Sequence, residues 1–237
     1  MNKKKYKDIL YPVREVKDLK DLIYSSVELY GDRNAFLVKD NPKEGYKPVT
    51  YKRVLNEMNA LGTSLINRGF RGQKIAVIGE NRYEWVLSYF SVCCGTGILV
   101  PIERELSAED VKGLLLRSGA TAVIHSGKTE KLVEQAIEKL DRPIQRIHMD
   151  LADHGEAALS FAKLLEEGQA MLEAGNRDFI DAPVDAEAMS LLLFTSGTTG
   201  TAKGVMLSQK NVVSNVMAMS MYVSVGGQVG LSVLPMH

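Results

Sequence analysis

Lys74-Ile75-Ala76-Val77-Ile78, Ile98-Leu99-Val100-Pro101 and Thr121-Ala122-Val123-Ile124 are three short, mostly apolar and β-branched runs, each followed by a stretch of helical period. Runs that are apolar on successive residues suit strands covered on both faces, which is the condition of a parallel sheet. The spacing between and after them predicts helices around Trp85 to Cys94, Ser107 to Arg117 and Thr129 to Leu140. Ser107-Ala108-Glu109-Asp110 gives the middle helix a hydroxyl cap and places carboxylates in its first turn, where the helix dipole favours them. Three βα units in succession imply right-handed crossovers. The expected fold class is therefore α/β, with largely parallel sheets flanked by helices.

Upstream, Leu19, Leu22, Ile23, Val27 and Tyr30 share one face of a first helix that Gly31-Asp32 closes. Strand signals follow at Ala35 to Val38 and Pro48 to Tyr51. Thr50 stands as a helix cap ahead of Val54, Leu55, Met58, Leu61, Leu65 and Ile66, and Gly69 ends that pattern. Downstream, a β signal at Ile144 to Met149 and a helix near Leu159 to Leu172 precede a polar stretch, Gly175 to Asp185, which reads as a subdomain junction. We accordingly expect an N-terminal α/β subdomain over 1–185 and the start of a nucleotide-binding subdomain over 186–237. In the latter, Ser190 to Phe194 reads as a buried strand and Val205 to Leu207 as a short one. Ser208 then caps a helix containing Val212, Val213, Val216 and Met217, and Leu231 to Met236 reads as a further apolar strand.

Composition narrows the function. The 237 residues are 45% hydrophobic and 24% charged, ordinary for a globular protein. The 29 basic and 29 acidic side chains cancel, so broad attraction to nucleic acid is not favoured and any anion site must be local. No apolar stretch approaches the roughly 18 residues of a membrane-spanning helix. The basic N-terminus lacks a signal-peptide core, so a cytoplasmic location is expected, with peripheral membrane contact left open. Cys93 and Cys94 are adjacent in an apolar stretch and read as buried thiols. His125, His148, His154 and His237 show no metal-ligand spacing.

The chemistry lies in Thr195-Ser196-Gly197-Thr198-Thr199-Gly200-Thr201-Ala202-Lys203-Gly204. Glycines permit close backbone approach and unusual dihedrals. Five hydroxyls and Lys203 supply donors and a mobile positive charge, and successive amides in such a turn form an anion-binding concavity. From Ala188 to His237 there is no Asp or Glu, so nothing in this stretch repels a bound anion. The spacing is not Walker A, because Lys203 follows Ala202 and precedes Gly204, and no G-x-G-x-x-G is present here. The bland alternative is a solvated Gly/Thr-rich hairpin between two strands.

Phe194 to Gly200 followed by Lys203-Gly204-Val205 resembles the AMP-binding signature of the adenylate-forming superfamily, which includes acyl-CoA synthetases, luciferases and peptide-synthetase adenylation domains. Leu207-Ser208 with Asn211 and Asn215 resembles the L-S/T-H-x-N continuation, and Leu234-Pro235-Met236-His237 resembles a strand end bordering the substrate pocket. Upstream, Tyr30-Gly31-Asp32, Thr50-Tyr51, Asn81-Arg82-Tyr83-Glu84-Trp85 and Val100-Pro101-Ile102 fall in the order of long-chain acyl-CoA synthetases. Ala202 stands where proline is commonest, and Gln209-Lys210 replaces the usual histidine context.

The resemblance implies the N-terminal part of the large domain of an enzyme that activates a carboxylic acid, most like a long-chain fatty acyl-CoA synthetase, with ATP, Mg2+ and coenzyme A. Thr195 would help place the metal and the β/γ-phosphates, Ser196, Gly197, Thr198, Thr199 and Gly200 would wrap the leaving pyrophosphate, and Lys203 would neutralise it. His237 would lie near the acyl end of the pocket. In this family the magnesium-binding carboxylate, the ribose-binding acid and the catalytic lysine of the small domain lie beyond position 237, so this piece alone is expected to be inactive. The other readings are an amino-acid or aryl-acid adenylating domain that loads a carrier protein, and a non-catalytic nucleotide-binding relic.

Overall fold

A computed structural model describes residues 9–39, 43–195, 202–224, 227–232 and 234. The helix α1, Leu19–Tyr30, starts where the Asp18 carboxylate accepts from the amide of Asp21. β1, Asn34–Val38, and β2, Lys47–Thr50, pair antiparallel as a separate two-stranded sheet. α2, Tyr51–Asn67, is capped by the Thr50 hydroxyl, as its position before the amphipathic run predicts.

A seven-stranded sheet follows. It comprises β3, Lys74–Ile78; β4, Ile98–Pro101; β5, Ala122–His125; β6, Gln145–His148; β7, Leu159–Ser160; β8, Met189–Thr195; and β9, Lys203–Ser208. Its spatial order is β7-β6-β5-β3-β4-β8-β9, with every pair parallel except β8 and β9. The helices between are α3, Tyr83–Ser91; α4, Ala108–Ser118; α5, Glu130–Ile137; α6, Phe161–Glu173; and α7, Gln209–Ser220.

Two buried clusters split the sheet by residue parity. Ile75, Val77, Leu99, Ala122, Ile124, Ile147 and Leu191 pack with residues of α1, α2, α3 and α6. Ala76, Ile78, Val100, Val123 and Leu192 pack against α4 and α5. Strict alternation along β3 thus makes a three-layer structure, apolar on both sheet faces. The step from β3 to β4 and the step from β4 to β5 run in opposite directions across the sheet, and α3 and α4 lie on opposite faces. One crossover handedness, as anticipated for successive βα units, demands that exchange of faces.

Four local expectations change. The helix beginning at Tyr83 does not run on to Cys94: at Val92–Thr96 it widens into a π turn, where the amide of Gly97 bonds the carbonyl of Val92 and Gly95 takes φ +155°. Leu159 and Ser160 form a strand on β6 before the helix begins at Phe161. Thr195, Lys203 and Gly204 belong to the strands, so the connection between β8 and β9 is shorter than the ten-residue loop expected from sequence. Of the strand expected over Leu231 to Met236, residues 233, 235 and 236 lie outside the described residues; at 231, 232 and 234 no strand forms, Leu231 and Leu234 are exposed, and the carbonyl of Leu234 accepts from the Asn81 side chain rather than from a neighbouring strand.

Candidate functional site

Six parallel strands put their carboxyl ends at one edge of the sheet, the edge at which open α/β sheets bind ligands. β8 ends there at Thr195, and β9 returns antiparallel from Lys203. The register pairs Leu193 with Val205, Phe194 with Gly204 and Thr195 with Lys203. The first hydroxyl and the cation of the glycine-threonine motif are therefore side-by-side neighbours although eight positions separate them in sequence. Both are exposed. The Lys203 ammonium makes no hydrogen bond or ion pair with another described residue, whereas that of Lys210 is engaged with Glu187. Ser196, Gly197, Thr198, Thr199 and Gly200 lie outside the described residues, as does His237.

Phe194 turns to the α4 side, where Arg117 stands 5.4 Å from its ring centroid. Gly204 serves packing: a Cβ there would lie 3.2 Å from Leu192 Cδ1 and 3.5 Å from the Phe194 ring. Its lack of a side chain is used across the hairpin, a role distinct from the phosphate approach read from the sequence.

The neighbouring strand ends carry a polar network that motif reading alone did not single out. Just past β3, Glu80 accepts from the Ser126 hydroxyl at 2.6 Å. Arg82 donates from Nη1 to Asp150 at 2.7 Å and from Nε to Glu84 at 2.7 Å, and the amide of Gly127 donates to Asp150 at 2.7 Å. Burial works to raise the carboxyl of Glu80, yet the Ser126 hydroxyl, a backbone amide, Lys128 and Arg82 together hold it below the ordinary value. Asp150 is likewise held low against its burial, by the Gly127 amide and Arg82. Asn81 Nδ2 donates to the carbonyl of Leu234 at 2.6 Å, so Leu234 lies beside the segment that follows β3. The available signal was position: Glu80, Asn81, Ser126, Gly127 and Asp150 each lie within three residues of a parallel strand's carboxyl end.

The donor set fits an anion better than a bare cation. Among the described residues no group of three or more His, Cys, Asp or Glu could hold a metal ion. The hairpin offers hydroxyl and ammonium without carboxylate, so a magnesium ion at Thr195 would need oxygens from a polyphosphate to complete its shell. Among the described residues, no helix is long and apolar enough to cross a membrane.

Comparison with known proteins agrees with this geometry. Residues 24–237 match the family described as AMP-binding enzyme. The long-chain-fatty-acid--CoA ligase 5 of Rattus norvegicus is 28% identical over 222 residues, 89% of this chain and 32% of that protein. Among solved structures, a long-chain-fatty-acid-CoA ligase from Archaeoglobus fulgidus superposes with TM-score 0.71 at 21% identity, covering 89% of this chain and 40% of the other. An anthranilate CoA ligase in complex with anthranoyl-AMP gives TM-score 0.74 at 21% identity, covering 90% and 38%. The chain spans about a third of the length of the curated relatives it matches. With the signature hairpin at the carboxyl edge of a parallel sheet and a family match across nine-tenths of its length, this chain belongs to the AMP-binding enzymes.

Proposed function

We propose that the protein carrying this chain activates a carboxylic acid with ATP and passes it to coenzyme A. A carboxylate oxygen attacks the α-phosphorus, pyrophosphate departs with the bridging oxygen, and an acyl-adenylate remains. The coenzyme A sulfur then adds to the acyl carbon as its proton is lost, and AMP leaves. The observation that carries this reading is the pairing of Thr195 with Lys203 at the carboxyl end of β8, in a stretch with no carboxylate from 188 to 237. A hydroxyl and an ammonium there fit a polyphosphate whose charge grows on the departing oxygen, and such fixed charge supplies much of phosphoryl-transfer catalysis. Ser196 to Gly200 would wrap the pyrophosphate. Thr195 would help hold Mg2+, which would supply positive charge to offset that of the phosphates. Residues 186–237 would be the part that grips the nucleotide, built on the scaffold of 1–185, and His237 would approach the acyl end.

A fatty acid is the substrate class we favour, supported by the rat and Archaeoglobus fulgidus relatives. The aryl-acid reading is supported by the likeness to the anthranilate ligase. ATP–pyrophosphate exchange by the full-length gene product, run with fatty, aryl and amino acids, separates the readings. Exchange with fatty acids is expected; exchange with aryl or amino acids alone overturns the substrate class, and exchange with none of them overturns the activity. Lys203→Ala is expected to weaken ATP binding by about tenfold or more, because one charged hydrogen bond is lost.

A further inference from the structure

The hairpin that carries the signature lies at the edge of the sheet. β8 registers with β4 at Leu191 and Leu99 and with β9 from Met189 to Thr195, and β9, the edge strand, is exposed along most of its length. From Met189 to Thr195 the strand rises about 20 Å, so a tilt of about 5° at its root would move Thr195 and Lys203 by about 2 Å. Positional errors of about 1 Å at a reacting centre can cost about a hundredfold in rate. What fixes the root of the hairpin therefore matters to the site.

Both ends of that root converge on the same two elements, the first turn of α1 and the π turn. On the entering side, Lys20 Nζ donates to the carbonyls of Phe179, Ile180 and Ala182, each at 2.9 Å, and lies 5.3 Å from the Phe179 ring centroid. Phe179 is fully buried, and its ring occupies the space that a Cβ on Gly62 would need, at 2.2 Å; the same ring and Ala182 Cβ lie 3.3 and 3.2 Å from where a Cβ on Gly95 would stand. On the leaving side, the buried Gln209 spans two chains: Oε1 accepts from the amide of Leu19 at 2.9 Å, and Nε2 donates to the carbonyl of Cys93 at 2.6 Å. The first is an otherwise orphaned helix N-terminal donor. The second belongs to the π turn, where the helical ladder is interrupted. Cys93 Sγ also donates to the carbonyl of Ser190 on β8 at 3.5 Å, and the amide of Lys210 bonds the carbonyl of Ala186.

We propose that Lys20 and Gln209 are positioning residues for the signature hairpin, fastening the segment that enters β8 and the helix that leaves β9 to one hub formed by α1 and the π turn. Lys20 acts as a built-in cation for three convergent carbonyls, and Gln209 as an amide that satisfies one donor and one acceptor at once. The functional consequence rests on the nucleotide reading of the hairpin; the mechanical claim does not.

Hydrogen exchange on the full-length gene product tests the mechanical claim. Lys20→Ala and Gln209→Leu are each expected to speed amide exchange in the outer hairpin, Leu193 to Thr195 and Lys203 to Met206, by about tenfold, with the amides of β3 and β5 unchanged. Ammonium or ethylammonium chloride is expected to restore slow exchange in Lys20→Ala, and sodium chloride at equal ionic strength is not, because only the former can donate to the three carbonyls. Should Lys20→Ala fail to fold, Gln209→Glu, which keeps the acceptor for Leu19 and loses the donor to Cys93, carries the same comparison. A rise spread evenly over all strands, unchanged exchange in the hairpin, or no distinction between ammonium and sodium overturns the hub. ATP affinity measured on the same samples should fall about tenfold in both variants. Full-length wild type that binds no ATP would sink the nucleotide reading while leaving the exchange result to judge the hub, and unaltered ATP affinity beside faster exchange would refute its bearing on the site.

Discussion

Gly168→Ala probes the closest helix contact in the protein. Gly168 lies in the interior of α6, where a Cβ would fall 1.8 Å from the carbonyl oxygen of Ala60 on α2 and 2.5 Å from its carbon. Ordinary contact begins near 3.4 Å, so the helices would have to part by roughly 1.5 Å, and a backbone oxygen cannot rotate aside as a side chain would. Two terms oppose each other. Replacing glycine with alanine inside a helix gains about 1 kcal/mol. Overpacking costs about 1 to 3 kcal/mol, and a clash with main chain puts this site at the upper end. The net expectation is a loss of about 2 kcal/mol, a fall in melting temperature of about 4 to 8 °C for a chain of this size. Calorimetry with urea denaturation as a second measure reads it, the urea slope staying constant. Gly113→Ala in α4 is the control, since a Cβ there meets nothing within 4 Å and the propensity gain should appear alone, about 0.5 to 1 kcal/mol of stabilisation. A Gly168→Ala protein that melts at or above wild type would refute the claim that the α2–α6 approach is too close for any side chain.

Three further outcomes follow from local geometry. His125 is fully buried and Nε2 has no hydrogen-bond partner; burial chiefly, with His148 and Arg146 adding and the Ser126 carbonyl and Glu134 opposing, pushes its pKa down to about 4. The unfolded imidazole takes up a proton near pH 6.5 that the fold refuses until about 4, so stability should decline as pH falls through that window, by up to about 3 kcal/mol, and level off below it. His125→Leu should flatten that part of the stability profile, and an unchanged slope would discard the assignment. Ser208→Ala removes the cap that, with Asn211, closes the amino end of α7; urea unfolding should show a loss of about 1 kcal/mol, and a loss near zero would contradict the capping role. Gly62→Ala places a methyl inside the Phe179 ring, and since that ring must move, the variant should lose at least about 2 kcal/mol by thermal melting.

Much of the framework was legible in one dimension because its causes are local. Thr50, Ser107 and Ser208 cap the helices they precede, each accepting from an amide three residues on, so residue type and position announce the helix start. Continuous apolar runs at β3, β4 and β5 announce burial on both faces, and the glycine-threonine-lysine stretch announces the family, because hydroxyl content and glycine spacing are properties of the stretch itself. The widening at Val92–Thr96, the short strand β7 and the Glu80–Ser126–Arg82–Asp150 network were not legible. Each depends on a group from a distant segment, which periodicity does not record.

Residue order and chemistry alone thus determined that this chain is α/β, where its helices begin, and which stretch carries the signature of the AMP-binding enzymes. Tertiary structure alone decided that Thr195 faces Lys203, that β8 lies between β4 and β9, and that Lys20 reaches the carbonyls of Phe179, Ile180 and Ala182 while Gln209 reaches Leu19 and Cys93. Hydrogen bonds and close packing are satisfied by whichever groups the fold brings within about 3 to 4 Å, and those partners lie up to 190 positions apart in sequence.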